Sequence, residues 1–406
     1  MTVQPLRRVF AVVNGGTPTS EPENWDGEVA WATPIDLGRL NGSRISETQR
    51  TLTSEGLRTG SSLVPAGSLI VSTRAPIGYV AETTTPMAFN QGCRGLVPRI
   101  ELDVRFFRYQ LLVSADQLQS RGQGSTFVEL STDALASFPL TVPPLREQCA
   151  IADYLDEETA RIDSLLDLRR RQAKLLLDHR RAVIDGFIVP EALGGRADPE
   201  SAWPIAKLKR AARFFADGDW IESPFITTDG IRLIQTGNIG EGAYRDQGFR
   251  YISDETFETL GCTEVLPGDI LISRLAGTVG RSCLAPDLGT RMVVSVDVVI
   301  MRPVSGLDPA FVVTYLSSSY HLALAGLLAR GTTMPRLSRS QVGEFPLPMP
   351  PLDVQRRVVG EIERRLGSVN ALLVALDQQV ARLLERRQAL ITAAVTGQLE
   401  IPGVAA

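Results

Sequence analysis

The side chains best suited to grip another molecule are arginines, amides and small hydroxyls set in glycine-rich stretches. In the first half these are Arg74, Gln91, Arg94, Arg121, Gln123, Ser125 and Thr126. In the second they are Gln235, Asn238, Arg274, Arg281, Arg330, Thr332, Thr333 and Arg336. Guanidinium and amide groups offer hydrogen-bonding atoms in pairs, a pattern that matches phosphates and the edges of bases. A hydroxyl beside glycine, as in Gly124-Ser125-Thr126 and Gly331-Thr332-Thr333, lets a backbone come close to a phosphate. Lysine adds little, with only Lys174, Lys207 and Lys209 present.

No catalytic set accompanies these groups. His179 and His321 are the only histidines, too few for a multi-histidine metal centre, and no Ser-His-Asp set is credible. Cys93, Cys149, Cys262 and Cys283 lie far apart without a CxxC pair and read as free, buried thiols. VPPL (142–145) and MPPL (349–352) lack the flanking residues of an amino-methyltransferase motif, and RGQGS (121–125) lacks the spacing of a nucleotide loop. Expected catalytic residues, metal sites and cofactors of this chain are therefore none. Net charge is −4, so bulk electrostatics does not favour a polyanion, whereas base contacts need only a few well-placed groups. Trp25, Trp31, Trp203 and Trp220 are expected to pack in cores or at their rims. No run of about 18 apolar residues exists and no secretory segment opens the chain, which suits a cytoplasmic protein without membrane contact.

The elements that must position these residues come in two copies. Residues 124–190 align without a gap on 331–397: GSTFVELSTDALASFPLTVPPL faces GTTMPRLSRSQVGEFPLPMPPL. Upstream, VPAGSLIVSTRAPIG (64–78) echoes VLPGDILISRLAGTVG (265–280). Each copy has a variable front and a more constant rear, a plan that predicts a pseudo-two-fold internal repeat. The rears read as helices of about 40 residues beginning at the proline pairs, with apolar residues in heptads. The first seam is Leu155, Ile162, Leu166, Leu176 and Val183. The second is Ile362, Leu366, Val369, Leu373, Leu376, Val380, Leu383 and Leu390. Helices so long need each other or a partner, and a two-fold would make them antiparallel. The fronts are mixed. Strands are expected at 67–73, 268–273 and 293–301, and helices at 103–120 and 308–330.

The duplicated PPLxxQ followed by a long helix carrying Q…LL…R.A.I resembles the specificity subunits of type I restriction–modification enzymes. GGTPTSEPENWDGEVAWATPIDLG (15–38) and DGDWIES…GIRLIQTGNIGEGAYRD (217–246) are similar to the openings of two classes of target-recognition domain. The resemblance covers essentially the full length and implies a mixed α/β fold. Two target-recognition domains, 1–145 and 198–349, would each be a small β-sheet with helices. They would be separated by two long antiparallel helices, in 146–197 and 350–406, forming a coiled-coil spacer. The implied function is non-catalytic recognition of double-stranded DNA, each domain reading half of an asymmetric split site. The implied partners are two methyltransferase subunits and restriction (helicase–nuclease) subunits. S-adenosylmethionine, ATP and Mg2+ would belong to those partners. The competing reading is a duplicated-domain protein scaffold without DNA binding.

Overall fold

The computed structural model describes residues 2–40, 42–74, 76–123, 128–192, 203–331, 334–402 and 404, with 189–192 described by backbone alone. The fold is mixed α/β and divides into two compact units. The first comprises Met1–Arg169 with Gln378–Ala406; the second is Arg170–Asp377. The long helices, Leu145–Ala192 and Leu352–Val395, are thus each shared between the units.

In the first unit a five-stranded sheet runs Phe10–Asn14, Cys93–Pro98, Leu69–Thr73, Ile77–Thr83 and Arg44–Ile45. A four-stranded sheet runs Thr51–Leu52, Trp25–Ala32, Met87–Phe89 and Leu63–Val64. The second unit repeats the plan with Ala212–Asp217, Val298–Pro303, Ile270–Ser273 and Ser282–Leu284, then Tyr251–Ile252, Ile231–Ile234 and Met292–Val294. Even the mixed pairing recurs. Trp25–Ala32 is antiparallel to Thr51–Leu52 and parallel to Met87–Phe89. Ile231–Ile234 is likewise antiparallel to Tyr251–Ile252 and parallel to Met292–Val294. The strand expected at 293–301 is in fact two. The chain leaves the three-stranded sheet after Val294 and joins the four-stranded one at Val298, so Ser295, Val296 and Asp297 form the crossing. Likewise 308–330 is two helices, Pro309–Leu316 and Ser319–Leu328, with Ser317 and Ser318 between them.

The cores are apolar and built around the long helices. In the first unit Phe10 and Phe106 each meet Phe107 edge-on, at 5.4 and 5.2 Å between ring centroids. That core also takes in Ile151 and Leu155 from the first long helix and Ile391 and Val395 from the second. In the second unit Ile272, Met301, Phe311 and Phe345 cluster with Ile184, Ile188, Ile362 and Leu366. The seam residues Leu155, Ile162, Leu166, Ile362, Leu366, Val369 and Leu376 are buried. Leu176, Val183, Leu373, Val380, Leu383 and Leu390 are half-buried. Among the described residues no single helix is long and apolar enough to cross a membrane. The apolar pair Pro309–Leu316 and Ser319–Leu328 is bent by 65°, and its Phe311, Val312 and Leu316 lie in the core.

The repeated PPLxxQ has a physical job. Gln148 Oε1 accepts from the Asp103 N–H at 2.9 Å while Nε2 donates to the Pro143 carbonyl at 2.8 Å. Gln355 does the same with Asp308 and Pro350, at 2.8 and 2.7 Å. Asp103 and Asp308 cap the helices Val104–Val113 and Pro309–Leu316. Each glutamine, at 2% and 1% exposure, therefore ties the start of a long helix to a helix of its own unit. Replacing Gln148 or Gln355 by Leu leaves a buried N–H and a buried carbonyl unpaired. A loss of about 2 kcal/mol per substitution is expected, measurable as a lowered urea midpoint.

His321 is buried, with Nε2 3.1 Å from the Gly280 carbonyl and Phe345 edge-on at 5.0 Å. Gly280 has φ +79, and a Cβ there would lie 2.5 Å from the Ala325 methyl, so glycine is required. Burial lowers the His321 pKa from 6.5 to about 4. The unfolded chain thus binds this proton more readily than the folded one. The contribution is fully present above pH 6.5 and is lost as pH falls to about 4, on the order of 3 kcal/mol. Replacing His321 by Gln should flatten that part of the stability–pH curve.

Candidate nucleic-acid interface

In the first unit, backbone bonds in both directions join Gln123 and Glu129, at 3.0 Å each, and Leu130 N–H donates to Thr73 O at 2.9 Å. The bridged pair Gln123 and Glu129 is thereby held against the end of Leu69–Thr73. Glu129 faces two arginines, with Arg74 Nη1 at 3.9 Å and Arg94 Nη2 at 3.7 Å. Arg94 is anchored by Thr132 Oγ1 at 3.0 Å and by the Gln91 and Cys93 carbonyls, both at 2.9 Å. Gln91 Oε1 accepts from the Thr17 hydroxyl, and Arg121 lies over Phe138 at 5.0 Å. Arg74, Gln91, Arg94 and Gln123 thus come together at one sheet end, while Arg121 packs on an aromatic ring. Ser125 and Thr126 lie outside the described residues.

The second unit builds the same bridge from other residues. Arg330 and Arg336 exchange backbone bonds at 3.1 and 2.8 Å, and Leu337 N–H donates to Arg274 O at 2.9 Å. Thr73 N–H donates to Gly92 O, and Arg274 N–H to Asp297 O, both at 2.8 Å. Position 274 therefore matches 73, 297 matches 92, and 336 matches 129. The charges are exchanged between the units. Glu129 is replaced by Arg336, and the carboxylate comes instead from Asp297, where the first unit has glycine.

Arg274, expected as a loop donor, is a buried staple at 7% exposure. Its Nη1 donates to Leu337 O at 2.9 Å and Nη2 to Val296 O, with Nε 3.3 Å from Asp217. The reason is register. Arg74 and Arg274 stand one place apart in equivalent strands, and side chains alternate faces with a period of two. Asn238 is also inward, at 3% exposure; its Oδ1 caps Gln235 N–H at 2.8 Å and its Nδ2 donates to the Arg245 and Gln247 carbonyls. Arg281 Nε lies 3.4 Å from Glu241, which Arg181 of the first long helix also holds, at 2.8 Å. Burial opposes the charge of Glu241, but the bond from Arg181 and the nearby guanidiniums hold its pKa below the ordinary value. Thr332 and Thr333 lie outside the described residues.

The predicted Gln235 is joined by residues that carry no signal in the sequence. Gln235, Thr236, Gly237, Gln247, Ser295 and Asp297, with Leu275, line an open hollow of about 440 Å³. Arg232, at 2% exposure, holds the segment that carries Gln247, donating to the Gln247 and Arg250 carbonyls at 2.9 and 3.3 Å. Trp25 and Trp31 are buried edge-on to each other at 5.0 Å, and Trp203 packs on Phe311 at 5.9 Å. Trp220 departs from the expected packing and stands 67% exposed. Cys93, Cys262 and Cys283 are buried and Cys149 is half-buried, all free. Burial raises the Cys262 thiol pKa to about 11 and that of Cys283 to about 12. Among the described residues no group of three or more His, Cys, Asp or Glu is placed to hold a metal ion.

The two units thus share one strand plan, each with a guanidinium–carboxylate pair beside a closed backbone bridge. Residues 1–170 match the family model for the type I restriction modification DNA specificity domain. The chain is 29% identical over 178 residues to the specificity subunit of the type I restriction enzyme MjaIX of Methanocaldococcus jannaschii, covering 43% of this chain and 40% of that protein. It is 23% identical over 360 residues to the EcoBI specificity subunit of Escherichia coli, covering 82% of this chain and 73% of that one. A solved chain from work on complex assembly and conformational transition of the type I R-M system aligns over 98% of both chains, with TM-score 0.53 and 18% identity, a likeness of fold. The chain is thus similar to type I specificity subunits, and its first 170 residues match the family model for their DNA specificity domain.

Proposed function

We propose that this chain is the DNA-reading subunit of a type I restriction–modification complex, with each unit reading one half of an asymmetric, split target. The observation that carries this is that equivalent bridged positions on a shared strand plan hold different charged groups, Glu129 with Arg74 and Arg94 in one unit and Arg336 with Asp297 in the other, since two unlike readers need one scaffold and different contacts. The long helices run antiparallel as a coiled-coil spacer. The touching residues support this, because their numbers run in opposite senses. Leu155 clusters with Ile391 and Val395, Asp163 takes Arg387 Nε at 3.0 Å, and Arg365 lies over Phe187 at 4.7 Å. Two methyltransferase subunits dock on the helices, where Leu165, Leu168, Leu175, Leu372, Val374 and Leu384 are exposed. Restriction subunits complete the complex. The chain itself performs no chemistry, and S-adenosylmethionine, ATP and Mg2+ act on the partners. Methylome sequencing of cells with and without the gene tests this. A split motif that disappears with the gene is expected, and an unchanged methylome would overturn the reading.

A further inference from the structure

Resting on that reading, we infer that Arg336, buttressed by Asp297, reads a guanine in the half-site of the second unit. Arg336 Nη2 donates to Asp297 Oδ2 at 3.1 Å, and Nε lies 3.0 Å from Oδ1. The carboxylate thus occupies the side-on edge of the guanidinium. Nη1 and the second hydrogen of Nη2 form the other edge, and no described contact uses Nη1. That edge is the fork that fits guanine O6 and N7. Its direction is set from both ends. Arg274 bonds the carbonyls of Leu337 and Val296, the neighbours of Arg336 and Asp297, and its own N–H and C=O engage Asp297 and Leu337. The Arg336 side chain is 48% exposed whereas that of Asp297 is 14% exposed, so the base of the pair is covered and its tip is open.

A base is favoured over a phosphate because Asp297 neutralises the charge that would attract a phosphate and leaves directional donors. Asp297 also lines the open hollow that Gln235 and Gln247 share, so further amide groups stand beside the pair. The first unit cannot make this contact, since Glu129 stands where Arg336 does and Gly92 where Asp297 does.

The test uses the full chain co-expressed with its methyltransferase partner, with methylated motifs sequenced for wild type, Arg336→Gln, Arg336→Lys and Asp297→Asn. The wild-type motif should contain a required G·C pair. In both Arg336 variants preference at that one pair should fall about 10- to 100-fold, and in Asp297→Asn by less, with the other half of the motif retained as proof of folding. Arg336→Lys keeps the charge but lacks the fork, so it gives the reading if Arg336→Gln accumulates poorly. Unchanged motifs in the variants, or a uniform loss of methylation without altered base preference, would overturn the guanine contact and leave the DNA-reading function standing. A wild-type chain that yields no motif would sink both.

Discussion

Lengthening both long helices by seven residues, after Arg171 and after its counterpart Gln378, should move the methylated target to a wider gap with both half-sites intact. Seven residues preserve the heptad, so the seams of Leu166 with Leu176 and of Leu376 with Leu383 stay in phase. The added length is about 10 Å at 1.5 Å per residue, or roughly three base pairs at 3.4 Å each. Such an insert also shifts the angular phase of the heads, because the duplex turns once in about 10–10.5 base pairs. The variant should therefore neglect the original target almost completely and methylate the spaced one. Retention of the original gap with merely weaker methylation would refute the spacer role. Extending one helix alone should break the pairing of Asp163 with Arg387 and give no ordered target.

The second large effect is expected at Arg274. Replacement by Met keeps the length but strands the Leu337 and Val296 carbonyls and leaves Asp217 with only the more distant Arg339, at 3.8 Å. Loss of a buried cation from such a network costs about 4 kcal/mol, which should appear as a lowered urea midpoint for the second unit. Sequence discrimination in one half of the target should fail with it, since Arg336 and Asp297 lose the strand ends that align them. Arg336→Gln makes the contrast, altering the motif with little change in midpoint. An Arg274→Met chain as stable as the parent would mean that backbone pairing alone holds the bridged pair.

Much of the architecture was legible in the sequence because it is local and repeated. Proline pairs stop one element and open the next, heptads mark a seam, and the gap-free match of 124–190 with 331–397 announces two copies. Leu69–Thr73 and Ile270–Ser273 read as strands for the same reason. Residue type could not say which arginines face outward. Arg74 and Arg274 sit in near-identical strings, yet a single place of register buries one beneath the bridged pair. Nor could it show that the stretch 293–301 changes sheets at Ser295–Asp297, since an unbroken apolar run looks the same in one strand or two. The duplicated plan and the long helices were thus determined by the order of residues alone. The pairing of Arg336 with Asp297, and the place of Gln247 beside them, were decided only by tertiary structure. Such contacts join residues tens of positions apart, and their geometry depends on where the sheets bring the backbone.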